Sequence, residues 1–408
     1  MLSPESSLIV KATLPAVKAN AVAISDAMYD SLLAAEPELR DLFNMGNQAN
    51  GEQRLALAAS VVAGAEFLVG EDVPFAAMLD RISHKHASLG ISPAQYTVVA
   101  RHLMKAVGMV LGSAVTPEVA AAWDEVYWLF ACHLIAAEAR LYQQAGAHGV
   151  STLEEWDVAA RWEEAEDVVS FGLVPANGGE LPAFLPGQYV SVAVELPSRA
   201  RQLRQYSISN APGSDMLRIT VRRVRSSEDR PAGAVSTLLV ESVHEGDRLE
   251  VSRPFGDVGL TDGDGPVVLA SAGIGITPIV SMVDHLRRAQ PDREVVVVHA
   301  DRSPGSHAFR EEVSASVTSM PRARQLTWYE TGDEGVGATA DRQEVRPGFL
   351  EPDLIPVPDK AKAYLCGPLP FMRSVRSSLI RRGVDPSDIS YEVFGPDLWA
   401  GQPDVEVL

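Results

Sequence analysis

Pro266-Val267-Val268-Leu269-Ala270, followed at once by Ser271-Ala272-Gly273-Ile274-Gly275-Ile276-Thr277-Pro278, is the stretch on which the fold turns. The first five residues read as a buried strand. The glycines at its exit let backbone amides approach a pyrophosphate. Ile279-Val280-Ser281-Met282 then opens a helix whose N-terminus adds partial positive charge. The pattern is G-x-G-x-x-P rather than G-x-G-x-x-G, so taken alone it also fits a tight glycine turn. Working toward the C-terminus, Val295–Val298 is a second buried strand and Tyr364-Leu365-Cys366 a third. Apolar strands alternating with helices imply a parallel α/β sheet. Cys366-Gly367-Pro368 sets another turn at the carboxyl end of a strand, where ligands bind in such sheets. The Cys366 thiol either faces a nicotinamide ring or is a small core residue. Tyr391-Glu392-Val393-Phe394-Gly395-Pro396 is either a cover for a ring system or a last strand and turn.

Working toward the N-terminus, the period changes. Segments 157–162, 167–174, 189–195, 205–209, 216–225 and 248–252 are short, often alternating, and separated by Gly and Pro, which predicts a small antiparallel barrel or sandwich. Arg204-Gln205-Tyr206-Ser207-Ile208-Ser209 is its strongest motif. Alternation sets Arg204, Tyr206 and Ile208 on one face and Gln205, Ser207 and Ser209 on the other. Arg suits a phosphate, Tyr a stacked ring, Ser a ring nitrogen or carbonyl. An edge strand with a surface Arg reads the same way. Pro186-Gly187-Gln188-Tyr189 adds a turn and an aromatic. Gly233-Ala234-Val235-Ser236-Thr237 offers hydroxyls at a helix start.

Before residue 145 the chain is rich in Ala, Leu, Val and Glu at helical spacing. Leu55, Ala58, Ala59, Val62 and Ala63 share one face, Pro93 starts a helix running to Leu111, and another pattern runs from Thr116 to Tyr142. The expected division is a helical domain over 1–145, a linker over 146–152, a barrel over 153–262 and an α/β domain over 263–408. His84, His86, His102, His133 and His148 lie in or near the helical part. Ile82, His86 and Leu89 share a face at the end of one helix, so His86 is either a satisfied core or surface histidine or a haem ligand.

The 408 residues fit two or three domains at roughly 150 each. A hydrophobic share of 46% and a charged share of 22% exclude general disorder. Lys plus Arg is 35 against 54 acidic residues, a net charge of −19, so general binding to nucleic acid or anionic membrane is not expected. No apolar run reaches the roughly 18 residues of a membrane span. The N-terminus does not read as a secretory signal. Two cysteines, Cys132 and Cys366, make no disulfide framework and fit a reducing intracellular location.

The motifs P-G-Q-Y, R-Q-Y-S, G-x-V-S-T, S-A-G-I-G-x-T-P, C-G-P and E-V-F-G-P stand in one order over residues 153–396. Together they resemble the ferredoxin-NADP reductase-like flavoproteins, which implies an FAD barrel followed by a nicotinamide-binding domain. The helical part adds Phe43 to Gln48, Asn50 to Leu57, Lys85 to Ser88, Pro93 to Tyr96 and Ala137 to Tyr142. With these, nearly the whole chain resembles the flavohaemoglobins. Ile276 and Val258 depart from that pattern, standing where a polar residue and an aromatic are common.

The resemblance implies a globin, an antiparallel FAD domain and a parallel-sheet NAD(P) domain, carrying haem b, FAD and NADH or NADPH. It makes His86 the metal ligand, with Tyr96 and Glu138 bonded to its far nitrogen. Tyr29, placed in the second helix, and Gln53 would act on bound O₂. Phe43 would pack on the haem, Leu57 would shape the pocket and Lys85 would sit at the haem–flavin boundary. Tyr189, Arg204, Gln205, Tyr206, Ser207 and Ser236 would hold FAD. Ser271, Gly273, Gly275, Thr277, Pro278, Cys366 and Gly367 would line the nicotinamide side, and Glu392, Val393, Phe394, Gly395 and Pro396 would close over the flavin. A flavin takes hydride from NAD(P)H and passes electrons singly, so the order of parts makes chemical sense. The implied activity is conversion of NO and O₂ to nitrate by a cytoplasmic monomer with no stable membrane anchor. An oxygen sensor or carrier, and a general NAD(P)H oxidase or reductase, are the other readings. Asp301 suits a ribose 2′-hydroxyl and Arg302-Ser303 a 2′-phosphate, which leaves the donor open.

Overall fold

Residues 1–42, 51–147, 149–227, 231–332, 339–340 and 342–395 are described in a computed structural model. Phe43 to Asn50, His148, and the chain from Pro396 onward lie outside them. Contacts divide the chain into two compact units, Met1–Leu153 with Pro197–Leu203, and Glu154–Leu196 with Arg204–Phe394.

The first unit is helical. Helix α1 runs over Pro4–Ala35 and carries Pro15 in its interior. Tyr29 therefore lies in the first helix, not the second as expected. An internal proline costs roughly 3 kcal/mol. The helix continues because Val10, Val17, Ile24, Met28 and Leu32 form a stripe buried to 4% exposure or less, each such side chain contributing about 1.5–3 kcal/mol of transfer free energy. By length and composition α1 also passes the test for a membrane span, contrary to expectation: an 18-residue window reaches a mean hydropathy of 1.3. Only 17% of that window is buried, and the buried part is the α1 stripe that joins the helical core.

Helix α2 spans Glu52–Leu68, α3 Phe75–Leu89, α4 Pro93–Leu111 and α5 Pro117–Gln144. Ala58, Val62, Ala63, Ala65 and Val69 are the buried hydrophobic residues of α2 and its C-cap among the described residues, while Leu55, expected on that face, is 43% exposed. α1 packs on α4 and α2, and α3 packs on α5. The sequence signals at the ends are physical stops and starts. Gly90 ends α3 at φ 72°, where the Ile91 amide donates back to the His86 carbonyl at 3.1 Å. Ser92 and Gln95 form a capping box that starts α4. This tight reversal brings the start of α4 beside the last turn of α3.

The second unit holds two sheets. Strands β1 (Leu153–Ala165), β2 (Val168–Pro175), β3 (Tyr189–Glu195), β4 (Arg201–Ser207), β5 (Leu217–Arg222) and β6 (Arg248–Ser252) form a six-stranded sheet in the order β4-β3-β6-β1-β2-β5. β1–β2, β2–β5 and β3–β6 are antiparallel. Its core is Trp156, Phe171, Leu173, Val190, Val192, Ile208, Ile219 and Val251, closed by helix α6 (Ala234–Ser242).

The other sheet has the order β10-β11-β9-β8-β7-β12-β13. Here β7 is Val267–Ala272, β8 Val295–Asp301, β9 Ala323–Tyr329, β10 Thr339–Ala340, β11 Gln343–Pro347, β12 Lys362–Cys366 and β13 Ile389–Glu392. Every pair from β11 to β13 is parallel. Helices α7 (Ile276–Ala289), α8 (Arg310–Ser319) and α9 (Leu369–Arg381) make the crossovers. Val267, Val268, Leu269 and Ala270 are all 0% exposed, which is why that run reads as continuous apolar sequence. The two sheets belong to one unit because polar groups are buried between their elements. Ser281 Oγ donates to the Asn210 carbonyl at 2.8 Å. Arg218 Nη1 pairs with Glu312 at 2.8 Å while its guanidinium lies 4.6 Å from the Phe309 ring centroid.

Candidate haem, flavin and nicotinamide sites

His86 sits in the last turn of α3, half exposed, with Tyr96 of α4 and Glu138 of α5 converging on it. Glu138 Oε1 and Tyr96 Oη each lie 2.9 Å from His86 Nδ1, and the Tyr96 hydroxyl donates to the same Glu138 oxygen. Glu138 is 2% exposed. An acceptor-only carboxylate facing Nδ1 assigns the proton there, which leaves the Nε2 lone pair for a metal. The Tyr96 phenol is pushed well above its ordinary pKa by burial and then by the Glu138 charge, so it stays a donor. Around them Tyr127 Oη donates to the Tyr96 carbonyl at 2.5 Å and Tyr142 Oη to the Ile91 carbonyl at 2.7 Å. Burial and Glu138 raise the Tyr142 pKa as well. Among the described residues no group of three His, Cys, Asp or Glu side chains could hold a metal by itself. One histidine with a free Nε2 fits the single protein ligand that a porphyrin iron needs.

Tyr29 is 5% exposed in the helical core, and the Arg54 guanidinium lies 6.0 Å from its ring centroid. Arg54 is held by Asp30 at 2.8 Å and Asp26 at 3.2 Å, and its carbonyl accepts from Ser25 Oγ at 2.8 Å. This fixes α2 against α1 next to Gln53 and Leu57, both partly buried. Lys85 is partly buried beside His86. Phe43 lies outside the described residues.

In the antiparallel sheet the end of β4 and the two residues after it are buried, so both faces of the alternating run are covered. Ser207 is 4%, Ile208 0% and Ser209 0% exposed. Ser207 Oγ is buried with no hydrogen-bond partner. A buried, unmet hydroxyl costs about 1–3 kcal/mol, and a flavin polar atom would satisfy it. Arg204 and Tyr206 flank it. Burial lowers the Arg204 pKa and raises that of Tyr206. Gln205 Nε2 donates to Ser191 Oγ at 3.1 Å. A Cβ on Gly256 would touch the Tyr189 ring at 3.3 Å, so this glycine lets the loop after β6 lie against that aromatic. The Ser236 hydroxyl donates to the Gly233 carbonyl at 3.0 Å and accepts from the Val224 amide at 3.2 Å, which shapes the start of α6.

At the β7–α7 turn the two glycines have separate jobs. Gly273 takes φ +54°, and a Cβ there would meet Arg222 Nη1 at 3.1 Å. Gly275 admits the neighbouring chain, since its Cβ would lie 2.3 Å from the Cys366 carbonyl oxygen. Gly367 leaves the same room beside Ala272. The side chains nearby are committed inward. Thr277 Oγ1 donates to the Ile274 carbonyl at 3.0 Å. Ser271 Oγ contacts His299 Nδ1 at 2.9 Å. Pro278 and Ile276 are buried, Ile276 to 0% exposure, so this departure from the family pattern is a core residue. Val258, the other departure, is core too at 5%. Cys366 is 1% exposed, and burial, with Glu392 beyond it, drives its thiol pKa far up. Glu392 is the β13 partner of Cys366, Val393 and Gly395 are partly buried, and Phe394 is 51% exposed. Pro396 lies outside the described residues.

Two features escaped the sequence reading. Arg222 overhangs the Gly273 turn from β5, and His299, Asp301, His307 and Tyr329 form a buried polar cluster on β8, β9 and the loop after β8. Both depend on strand pairing that no local pattern reveals.

Comparison with known proteins agrees with this layout. Residues 26–134 match the Globin family and residues 269–377 the oxidoreductase NAD-binding domain. A flavohaemoprotein of Bordetella pertussis is 42% identical over 402 residues, covering 97% of this chain and 99% of that one. The chain belongs to the flavohaemoprotein family. A flavohaemoglobin from Malassezia yamatoensis, solved with bound FAD and haem, superposes with a TM-score of 0.85 at 30% identity over 97% of this chain and all of that one. The flavohaem-like FAD/NAD-binding domain of a nitric oxide dioxygenase from Vibrio cholerae covers 60% of this chain at 33% identity and a TM-score of 0.54. As a flavohaemoprotein, the chain pairs a globin with an antiparallel FAD domain and a parallel NAD-binding domain. Its cofactors are haem, FAD and NAD(P)H.

Proposed function

We propose that this flavohaemoprotein is a nitric oxide dioxygenase, converting NO and O₂ to nitrate with electrons drawn from NAD(P)H. The observation that carries the reading is the Glu138 carboxylate, buried and bonded to His86 Nδ1. A carrier needs only a ligand. A carboxylate behind the imidazole makes it a stronger donor, which suits oxygen activation. The Vibrio cholerae relative, named as such a dioxygenase, supports the same reading. When bound, haem and FAD supply one-electron and two-electron chemistry respectively.

The chain's own residues supply the setting. His86, oriented by Glu138 and Tyr96, would hold the haem iron through Nε2. Tyr29 would offer a hydroxyl donor with Gln53 near it, Leu57 would wall the pocket, and Lys85 would stand at its edge. Ser207, Arg204, Gln205, Tyr206 and Tyr189 would hold the flavin, with Ser236 shaping the start of α6, and Glu392, Val393, Phe394 and Gly395 would cover it. Gly273, Gly275 and Gly367 let the backbone approach the dinucleotide; Ser271, Thr277, Pro278 and Cys366 support those turns from within. The parts divide at 1–145, 153–262 and 263–408, joined by a linker over 146–152. The chain acts as a monomer, and its two free cysteines fit a cytoplasmic place.

The test is NO consumption at an electrode with the purified holoprotein and NAD(P)H, in air and without oxygen. Loss only in air, with nitrate as product, is expected. Slow or oxygen-independent loss despite flavin reduction would replace this reading with a sensor or general reductase.

A further inference from the structure

The carboxyl end of β8 and the loop that leaves it carry one acidic and one basic candidate for reading the dinucleotide's adenosine ribose, Asp301 and Arg302. The structure treats them oppositely. Asp301 is 8% exposed. Its Oδ1 accepts from the Arg302 amide at 2.7 Å and from Ser306 Oγ at 2.7 Å, and its Oδ2 faces His299 Nε2 at 3.4 Å. Behind it the His299 and His307 rings stack at 4.0 Å, and His307 Nδ1 meets Tyr329 Oη at 2.7 Å. The carboxylate thus closes an internal network and turns the loop after β8.

Arg302 is the outward group of that loop. Its side chain is exposed, and among the described residues its guanidinium has no ion pair. Its backbone is nevertheless held in place, since Thr331 donates to the Arg302 carbonyl through its amide at 2.8 Å and through Oγ1 at 2.9 Å. Ser303 follows with a hydroxyl 3.3 Å from Ser306 Oγ. Arg310, also exposed, opens the next helix. A fixed backbone with an unpaired guanidinium and a neighbouring hydroxyl suits a dianionic phosphate monoester, which can accept two parallel N–H bonds. A ribose 2′-hydroxyl needs an available carboxylate, and Asp301 is not one.

We infer that Arg302, with Ser303, reads the ribose 2′ position and takes a 2′-phosphate there, so that NADPH is the preferred donor. This rests on the reductase half of the function proposed above and is independent of what the globin does. The test is calorimetric titration of the full-length holoprotein with 2′,5′-ADP and with 5′-AMP, fragments that need no turnover, NO or oxygen. Binding of 2′,5′-ADP is expected to be about tenfold or more tighter. Arg302→Ala should remove that difference by weakening 2′,5′-ADP alone, and Arg302→Lys should restore part of it. Equal affinities, tighter 5′-AMP, an unchanged ratio in Arg302→Ala, or no binding of either fragment would each overturn the inference. An intact ratio in a protein that fails to oxidise NO would leave it standing while the dioxygenase reading falls.

Discussion

Glu138 Oε1 and His86 Nδ1 lie 2.9 Å apart although the residues are 52 positions apart in the chain. The last turn of α3 meets the body of α5 there, and the carboxylate is 2% exposed. Burying that charge is costly unless its partners are fixed. Here they are: the Tyr96 hydroxyl donates to the same oxygen, and Tyr127 holds the Tyr96 backbone.

Glu138→Gln keeps the shape and removes the charge. The His86 imidazole then faces a neutral amide, donates less, and stabilises ferric iron less. The midpoint potential of the haem couple should rise, read by spectroelectrochemistry, while haem still binds. An unchanged potential would mean that Glu138 serves only to fasten α5 to α3.

Tyr29→Phe removes one hydroxyl from a residue 5% exposed and leaves the ring packing in place. Thermal unfolding of the helical unit should shift little. The O₂ dissociation rate measured by stopped flow should rise by about tenfold, the worth of one hydrogen bond to a polarised acceptor. If the rate holds, the hydroxyl belongs to the core alone.

How far the sequence could be read follows from the range of the forces involved. The proximal set was legible through the family resemblance, which implied His86, Tyr96 and Glu138 together; helical spacing by itself set only Ile82, His86 and Leu89 on one face. The β7–α7 turn was legible as a glycine turn, but local pattern could not show that Ser271 and Thr277 spend their hydroxyls inside the protein. Their partners, His299 and the Ile274 carbonyl, come from sheet register and turn geometry. Tyr29 falls in the first helix rather than the second because the buried stripe of α1 carries one helix through Pro15, a residue that ordinarily ends one. Leu55 was misplaced because α2 is apolar nearly all round, so spacing alone could not rank its faces.

Gly275 and Gly108 give a paired test of what a glycine is for. A Cβ at Gly275 would lie 2.3 Å from the Cys366 oxygen, 2.6 Å from its carbon and 2.8 Å from the Gly367 nitrogen, all backbone. Gly275→Ala must therefore part β12 from the turn, with a loss of about 2–3 kcal/mol in the reductase unit and slower flavin reduction by NAD(P)H. Gly108, inside α4, has nothing within 4 Å. Gly108→Ala should stabilise the helical unit by about 0.5–1 kcal/mol. Denaturant midpoints of the two variants should move in opposite directions. Movement in the same direction would contradict the packing at Gly275.

The Asp301 carboxyl sets a pH limit on the reductase unit. Burial alone would raise its pKa, but the bonds from His299, Ser306 and the Arg302 amide hold it at about 2, against an ordinary 3.8. A depressed pKa means that the folded form binds its proton less readily than the unfolded form. The stabilisation is therefore complete above about pH 4 and is lost as pH falls through the folded value near 2. From the size of the shift it amounts to roughly 2 kcal/mol. Asp301→Asn lacks this proton linkage, so its stability should change less between pH 4 and pH 2 than that of the parent chain. The measurement is the denaturant midpoint of the reductase unit across that range, followed by flavin fluorescence. Parallel curves for the two proteins would mean that Asp301 is not held ionised by this network.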